Sequence, residues 1–255
     1  MKAIRRVDTP FGRVYAHGKG IDAILMPSVT TILAAEPSLY LNDLEKKIGK
    51  EELDKLGRRG AARGSAMHKF LENYFICMKH GGSEDKCLLY TQKKTPPELL
   101  EEGLEEERIV YGRNLFYNFL SEGVFDQIKR VLYTEKFVWS LTHLFAGTSD
   151  FVFENLELED VISDFKSASG NRGDEVINKY KKQTGAYAIA YEEIHGRIVK
   201  NTQIWISSPE GMQLAKVEGD ELLHYKNEFI KSAKEFHKNW NYEPIKNYYI
   251  ENYVK

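Results

Sequence analysis

The segment AGTSDFVFENLELEDVISDFKSAS, residues 146–169, carries charge where two strands should be apolar. Asp150 interrupts one Phe/Val run, and Asp164 and Lys166 interrupt the next with only Phe165 between them. Side chains two apart on a strand share a face, so Asp164 and Lys166 point the same way. Asp150 enters the same space if the two strands pair. Burying an unpaired carboxylate is costly. An internal salt bridge from Lys166 to one aspartate is the plain explanation. It leaves the other aspartate uncompensated, and buried ion pairs rarely add stability. A divalent cation resolves the imbalance, since Mg2+ takes a few hard oxygens together with water. Lys166 would then orient or deprotonate a water at the cation, or hold a phosphate oxygen.

Other residues extend this group. Glu135, in RVLYTEKFVWS, is expected on one strand face with Val131, Tyr133, Phe137 and Trp139. A carboxylate on an apolar face again suggests a site. Gln183 and Tyr187 are four apart in a helical stretch and share one face. A core tyrosine beside a chance polar residue would read the same. His68 lies at the edge of a helical apolar stripe, where a packing role is the plain alternative.

The elements that must hold these residues follow from periodicity and turn signals. Residues 3–26 read as a hairpin with Pro10 and Gly12 as turn formers. MPSVTTILAAE starts a helix that Ser28 can cap. A charged helical region runs to about Gly57, before a clearer helix. That helix carries Met67, Phe70, Leu71, Tyr74, Phe75 and Met78 on one face and ends at Gly81–Gly82. Residues 82–97 read as a polar loop closing on Pro96–Pro97, followed by an acidic-faced helix to about Glu122. Three strands then contain Glu135, Asp150 and the Asp164–Lys166 triplet. A helix over 173–195 follows, then strands in NTQIWISS and MQLAKVE. A final amphipathic helix runs through Leu222, Phe229 and Phe236 to Trp240. No internal repeat or linker divides the chain.

The totals set bounds. The chain has 255 residues, 42% of them hydrophobic, enough for a packed core. Acids and bases nearly balance, 38 against 36, so a nucleic-acid partner must be held by local basic patches. Two cysteines, Cys77 and Cys87, are too few for a disulfide scaffold or a thiolate-held cluster. No apolar run approaches the ~18 residues of a membrane span. The basic N-terminus lacks the apolar stretch of a secretory signal. A soluble, cytoplasmic protein that is not secreted is expected.

His68, Gly147-Thr148-Ser149-Asp150, the DFK of 164–166 and the QTGAY of 183–187 stand in the order of one motif set. In this the chain resembles RecB-like nucleases of the PD-(D/E)XK superfamily, over roughly residues 10–195. PSVTTIL and RGSAMH are also similar to stretches of phage exonucleases and of the mitochondrial genome maintenance exonuclease. The resemblance implies an α/β fold. Its restriction-endonuclease-like core would be a central mixed sheet flanked by helices, with a helical N-terminal portion. It also implies a single nuclease domain over 1–255, mainly helical over 1–125, with the nuclease core over 126–255.

By the same resemblance, Asp150, Asp164 and His68 would ligate Mg2+ or Mn2+, with the Phe165 carbonyl as a further ligand. Lys166 would act on the water, and Gln183 and Tyr187 would hold Lys166 and the DNA backbone. Glu135 would be either support behind the site or a ligand to a second metal, and the sequence leaves both open. Relatives that carry an iron–sulfur cluster use four cysteines, so no such cluster is expected here. The DNA contacts would come from residues flanking the site: the basic Arg59 and Arg63 with Ser65 ahead of His68, and Lys182 ahead of Gln183. Solvated helix faces are the plain alternative for each.

The implied activity is metal-dependent hydrolysis of DNA from its ends, with single strands favoured over linear duplex. Recombination or replication proteins are further expected partners, and a phage origin would put the protein in the host-cell cytoplasm. The oligomeric state is left open. Two rivals stand beside this reading. A restriction-type endonuclease on the same core would need a base-reading element, and none is evident. A DNA-binding subunit without activity would not need the Asp, Asp and Lys set.

Overall fold

A computed structural model describes residues 4–254. Residues 1–3 and 255, at the two ends of the expected domain and including the first residue of the expected hairpin, lie outside the described residues, as do the side chains of Leu39 and Tyr40. The N-terminal hairpin forms from β1 (Ile4–Thr9) and β2 (Gly12–His17). Gly12 adopts a φ of 112°, which only glycine takes readily, and so lets the chain reverse. A third strand that the hairpin reading did not include, β3 (Ile24–Pro27), pairs antiparallel with β2. Helix α1 (Val29–Ala34) then starts under Ser28, whose Oγ accepts the Thr31 N–H at 2.9 Å as the cap expected.

Helix α2 (Leu39–Ile48) ends at Gly49, which has a φ of 80°. Helix α3 (Lys50–Lys79) runs 30 residues without a break through Gly57. The boundary expected near Gly57 is therefore absent, because nothing there competes with the helical hydrogen bonds. Only the C-terminal half of α3 carries buried residues, from Ala66 to Phe75. The polar loop expected over 82–97 is instead helix α4 (Glu84–Glu101). Its buried positions Cys87, Thr91, Thr95 and Leu99 are spaced by four, a stripe concealed by its threonines. Pro96 and Pro97 lie inside α4, although each lacks a helical N–H. Helix α5 (Glu106–Ser121) packs against α3.

Five strands form the main sheet: β4 (Ile128–Ser140), β5 (Phe145–Asn155), β6 (Asp160–Ser167), β7 (Asn201–Ser208) and β8 (Gly211–Glu218), in that order. All neighbours are antiparallel except β6 and β7. That parallel pair needs a crossover, which helix α6 (Asp174–His195) supplies. The fold is thus mixed α/β, with helices on both sides of the sheet and a mainly helical N-terminal part.

The two faces bury different residues. Val152, Ile162, Ile204 and Ile206 pack with α1, α6 and helix α7 (Gly219–Asn239). Phe151, Phe153, Phe165 and Trp205 pack with α3, α4 and α5. Register shifts in β4 between Ile128 and Arg130 and between Val131 and Tyr133 correct one expectation. Val131 joins the α3 side and Tyr133 the α6 side, so the two do not share a face. Helix α7 ends at Asn239 with Trp240 as its cap, as read, but it is not the last: a further helix α8 (Tyr242–Tyr253) covers the small sheet through Ile245 and Tyr249.

Close approach of α5 to α3 depends on Gly112. A Cβ there would lie 2.4 Å from the Ala66 Cβ and 2.8 Å from the Met67 nitrogen. Gly112→Ala should cost ~1–3 kcal/mol in urea unfolding. Gly57 sits in the same long helix with nothing within 4 Å of an added Cβ. Gly57→Ala should stabilise by ~0.5–1 kcal/mol. Equal midpoints for the two variants would contradict this packing.

Candidate functional site

The strands β5 and β6 part where their carboxylates meet. Their ladder reaches Phe151 opposite Ser163 and stops. Continued by one step, it would set Asp150 against Asp164, two like charges directly across from each other. Instead the Asp150 Oδ2 accepts the Phe165 backbone N–H at 2.8 Å. On the other side of β5, the pairs Thr134–Phe151 and Lys136–Ser149 put Glu135 opposite Asp150. Glu135 has a φ of 47°, a left-handed conformation uncommon for a residue with a Cβ.

His68 reaches this gap from α3. Its Nε2 lies 3.0 Å from the Phe165 carbonyl oxygen. Its Nδ1 lies 3.7 Å from Asp150 Oδ2 and 3.9 Å from Glu135 Oε1. A proton on Nε2, donated to the carbonyl, leaves the Nδ1 lone pair facing both carboxylates. Burial alone would lower the His68 pKa, but the Asp150 charge and the Glu135 hydrogen bond and charge raise it above the ordinary value.

Lys166 and Asp164 form an ion pair beside this group. Asp164 has no exposed surface. Burial pushes its carboxyl up to about 6, against the pull of Lys166 and with the push of Asp150. Burial lowers the Lys166 ammonium, but Asp164 and Asp150 more than restore it, so its pKa ends raised. From the α6 side, Gln183 Nε2 donates to Asp164 Oδ1 at 3.0 Å and to Tyr187 Oη at 2.9 Å. The shared face of Gln183 and Tyr187 therefore points to the site. It grips Asp164, which in turn holds Lys166. Burial raises the Tyr187 hydroxyl well above its usual pKa, so it stays protonated. Gly147 makes room for this tyrosine: a Cβ there would lie 2.7 Å from Tyr187 Cε1.

Among the described residues, His68, Glu135 and Asp150 form a group whose ligand atoms all lie within 4.8 Å of one another. One nitrogen and two carboxylates are a donor set that can hold a divalent metal ion. This group differs from the ligand set expected. Asp164 is outside it, with one oxygen on Lys166 and the other on Gln183. The Phe165 carbonyl is engaged by His68, where it orients the ring. Glu135 instead stands beside His68 and Asp150.

Of the expected DNA contacts, Gln183 and Tyr187 line the site and the other four do not. Arg59 and Ser65 are exposed on α3. Arg63 stacks over the Tyr111 ring at 4.8 Å. Lys182 is held by Glu36 at 3.0 Å. The site opens into a cleft of about 190 Å³ whose lining includes none of these four. It is lined instead by Arg6, Arg13, Tyr15 and Thr30 together with His68, Glu135 and Asp150. The sequence reading missed Arg6 and Arg13, because a three-stranded sheet folded onto the main one was not foreseen. A larger cavity of about 750 Å³ lies between α1 and α7, apart from these residues. Among the described residues no helix is long and apolar enough to cross a membrane.

No family model matches the chain. No curated protein matches it. Among solved structures, one described as the crystal structure of SSO0001 aligns at 11% identity and a TM-score of 0.34, covering 60% of this chain and 70% of that one.

Calorimetric titration with Mn2+ tests the group. Asp150→Asn, Glu135→Gln and His68→Ala should each weaken binding by roughly tenfold or more. Asp164→Asn should weaken it less, and Tyr187→Phe should leave it unchanged. Wild-type affinity in Glu135→Gln together with a lost site in Asp164→Asn would favour the ligand set expected from sequence. His68 must lose its proton to offer Nδ1. Its pKa is raised, so affinity should fall as the pH drops through that raised value and level off above it.

Proposed function

We propose that the chain is a Mg2+- or Mn2+-dependent deoxyribonuclease that hydrolyses phosphodiester bonds from DNA ends. In this reading its main sheet, with α3 and α6, is a PD-(D/E)XK-type core. One observation carries the reading: His68, Glu135 and Asp150 stand as a group able to hold a cation, beside the buried Asp164–Lys166 pair. These residues come from α3, β4, β5 and β6, and packing alone has no use for so many ionisable groups at one gap.

A divalent cation held by His68, Glu135 and Asp150 would neutralise charge on the scissile phosphate and favour attack by water. Lys166 adds a fixed positive charge. Its raised pKa keeps it an ammonium at neutral pH, so it orients a water or a phosphate oxygen and does not act as a base. Asp164 aims Lys166, Gln183 aims Asp164, and Tyr187 steadies Gln183. The cleft is narrow, about 190 Å³, and is walled by the small sheet as well as the main one. A single strand with free bases fits such an opening more readily than a duplex.

End-labelled single-stranded and duplex DNA, incubated with Mn2+, Mg2+ or EDTA, tests this. Cleavage should require metal and start from an end, and closed circular duplex should resist. Lys166→Gln should lower turnover by roughly a hundredfold or more while Mn2+ binding persists. Tyr187→Phe and Gln183→Ala should each slow turnover with DNA affinity nearly unchanged. Their double variant should lose less than the sum, because both act through Asp164. Defined fragments cut from a closed circle would favour an endonuclease. No cleavage of any DNA with either metal would end the proposal.

A further inference from the structure

The small sheet turns one face to the proposed active cleft. Tyr15 on β2 is 1% exposed, and its hydroxyl lies 3.0 Å from Thr148 Oγ1, two residues before Asp150. In the β1–β2 ladder Tyr15 is opposite Arg6, and Asp8 is opposite Arg13. Side chains at 6 and 8, and at 13 and 15, therefore share the face that Tyr15 fixes against the main sheet. The other face carries Val7, Val14 and Ala16, which pack with Ile245 and Tyr249 of α8. The direction of Arg6 and Arg13 is thus set by packing on both sides of the small sheet. Both arginines line the cleft that also holds His68, Glu135 and Asp150.

Asp8 holds the two arginines as a pair. Its carboxylate accepts from Arg6 Nε at 3.0 Å and from Arg6 Nη2 at 3.1 Å. It accepts from Arg13 through Nε at 3.4 Å. The Nη groups of Arg13 are not used by Asp8. Two guanidinium groups against one carboxylate leave a positive charge on this wall, while Glu135 and Asp150 make the opposite end acidic. A guanidinium pair with donors to spare matches the oxygens of a phosphate in geometry and charge.

We infer that Arg6 and Arg13 form a phosphate-binding subsite, which seats the phosphate next to the scissile one. The inference rests on the nuclease reading for the identity of that phosphate, either a terminal monoester or the neighbouring diester. Its role is to position the strand: the arginines hold a group that does not react, so they contribute to binding and not to the chemical step.

The test uses the full chain and short oligothymidylates that end in a phosphate or in a hydroxyl. Binding is read by fluorescence anisotropy without metal, and cleavage by steady-state kinetics with Mn2+. Unfolding curves confirm that each variant is folded. The Arg6→Ala/Arg13→Ala double variant should raise Kd and KM roughly ten- to a hundredfold with kcat nearly unchanged. The slope of log K against log salt should shrink by about 0.7, the value for one lost single-strand phosphate contact. Arg6→Lys/Arg13→Lys keeps the charge and should recover part of the affinity but not all, because the fork is lost.

A loss confined to phosphate-ended strands assigns the subsite to a terminal phosphate, and an equal loss on both assigns it to a diester. Unchanged Kd, KM and salt slope on both strands would overturn the subsite while cleavage upheld the nuclease. A lowered kcat at unchanged KM would also overturn it. A wild-type chain that binds the strands through these arginines but never cuts them would overturn the nuclease and keep the subsite. A wild-type chain that binds neither strand would overturn the subsite.

Discussion

The Phe165 backbone ties the site together. Its N–H is taken by Asp150 and its C=O by His68. Two successive peptide planes that meet at the Phe165 Cα therefore fix a carboxylate from β5 and an imidazole from α3 relative to β6. The side chain of the same residue anchors both planes, since its ring packs within 6.0 Å of Phe75, Phe151, Phe119 and Trp205 in the aromatic core. The neighbours Asp164 and Lys166 necessarily point to the opposite face. Anchoring Phe165 on one side thus aims both charged groups toward α6 on the other, where Gln183 waits. The gap between β5 and β6 is part of the same arrangement. Without it, the ladder would set Asp150 and Asp164 against each other and consume the N–H that holds Asp150.

Charge explains the rest of the geometry. Glu135, Asp150 and Asp164 gather near one point with Lys166 as the fixed cation among them. The excess negative charge raises His68 and helps raise Asp164. Protons are the default remedy for that excess, and a divalent cation is a better one because it satisfies two carboxylates at once. The Asp164–Lys166 pair is different in kind. Each neutralises the other, and Gln183 donates to the second Asp164 oxygen. The residues thus fall into a His68–Glu135–Asp150 group that could hold a cation and an Asp164–Lys166 ion pair beside it.

Much of this was legible in the sequence, for definite reasons. Period-two alternation gave the strands, and a charged residue on an otherwise apolar run marked Asp150, Asp164 and Lys166. Spacing by four gave the common face of Gln183 and Tyr187. The division of ligands was not legible, because it depends on which oxygen each neighbour takes, and Gln183 reaches Asp164 only through the crossover of α6. Helix α4 was read as a loop because threonines at 91 and 95 conceal its buried stripe and a proline pair ordinarily ends a helix. Arg6 and Arg13 give no signal, since one arginine on each strand of a hairpin looks like any solvated position. Their position depends on Tyr15 meeting Thr148 across 133 residues of chain.

Glu135 shows how the fold bears a local cost for this arrangement. Its φ of 47° places a residue with a Cβ in left-handed backbone inside a strand. Such a conformation costs about 1–2 kcal/mol and persists only where surrounding contacts impose it. The pairs on either side, Thr134 with Phe151 and Lys136 with Ser149, keep their register, so the distortion is confined to the single residue opposite Asp150. Glycine would relieve the strain, and regular pairing would remove it. Either would sacrifice the carboxylate beside His68 Nδ1. Packing alone gives no reason for a glutamate there. A cation held by His68, Glu135 and Asp150, as proposed, would offset the strain with its binding energy.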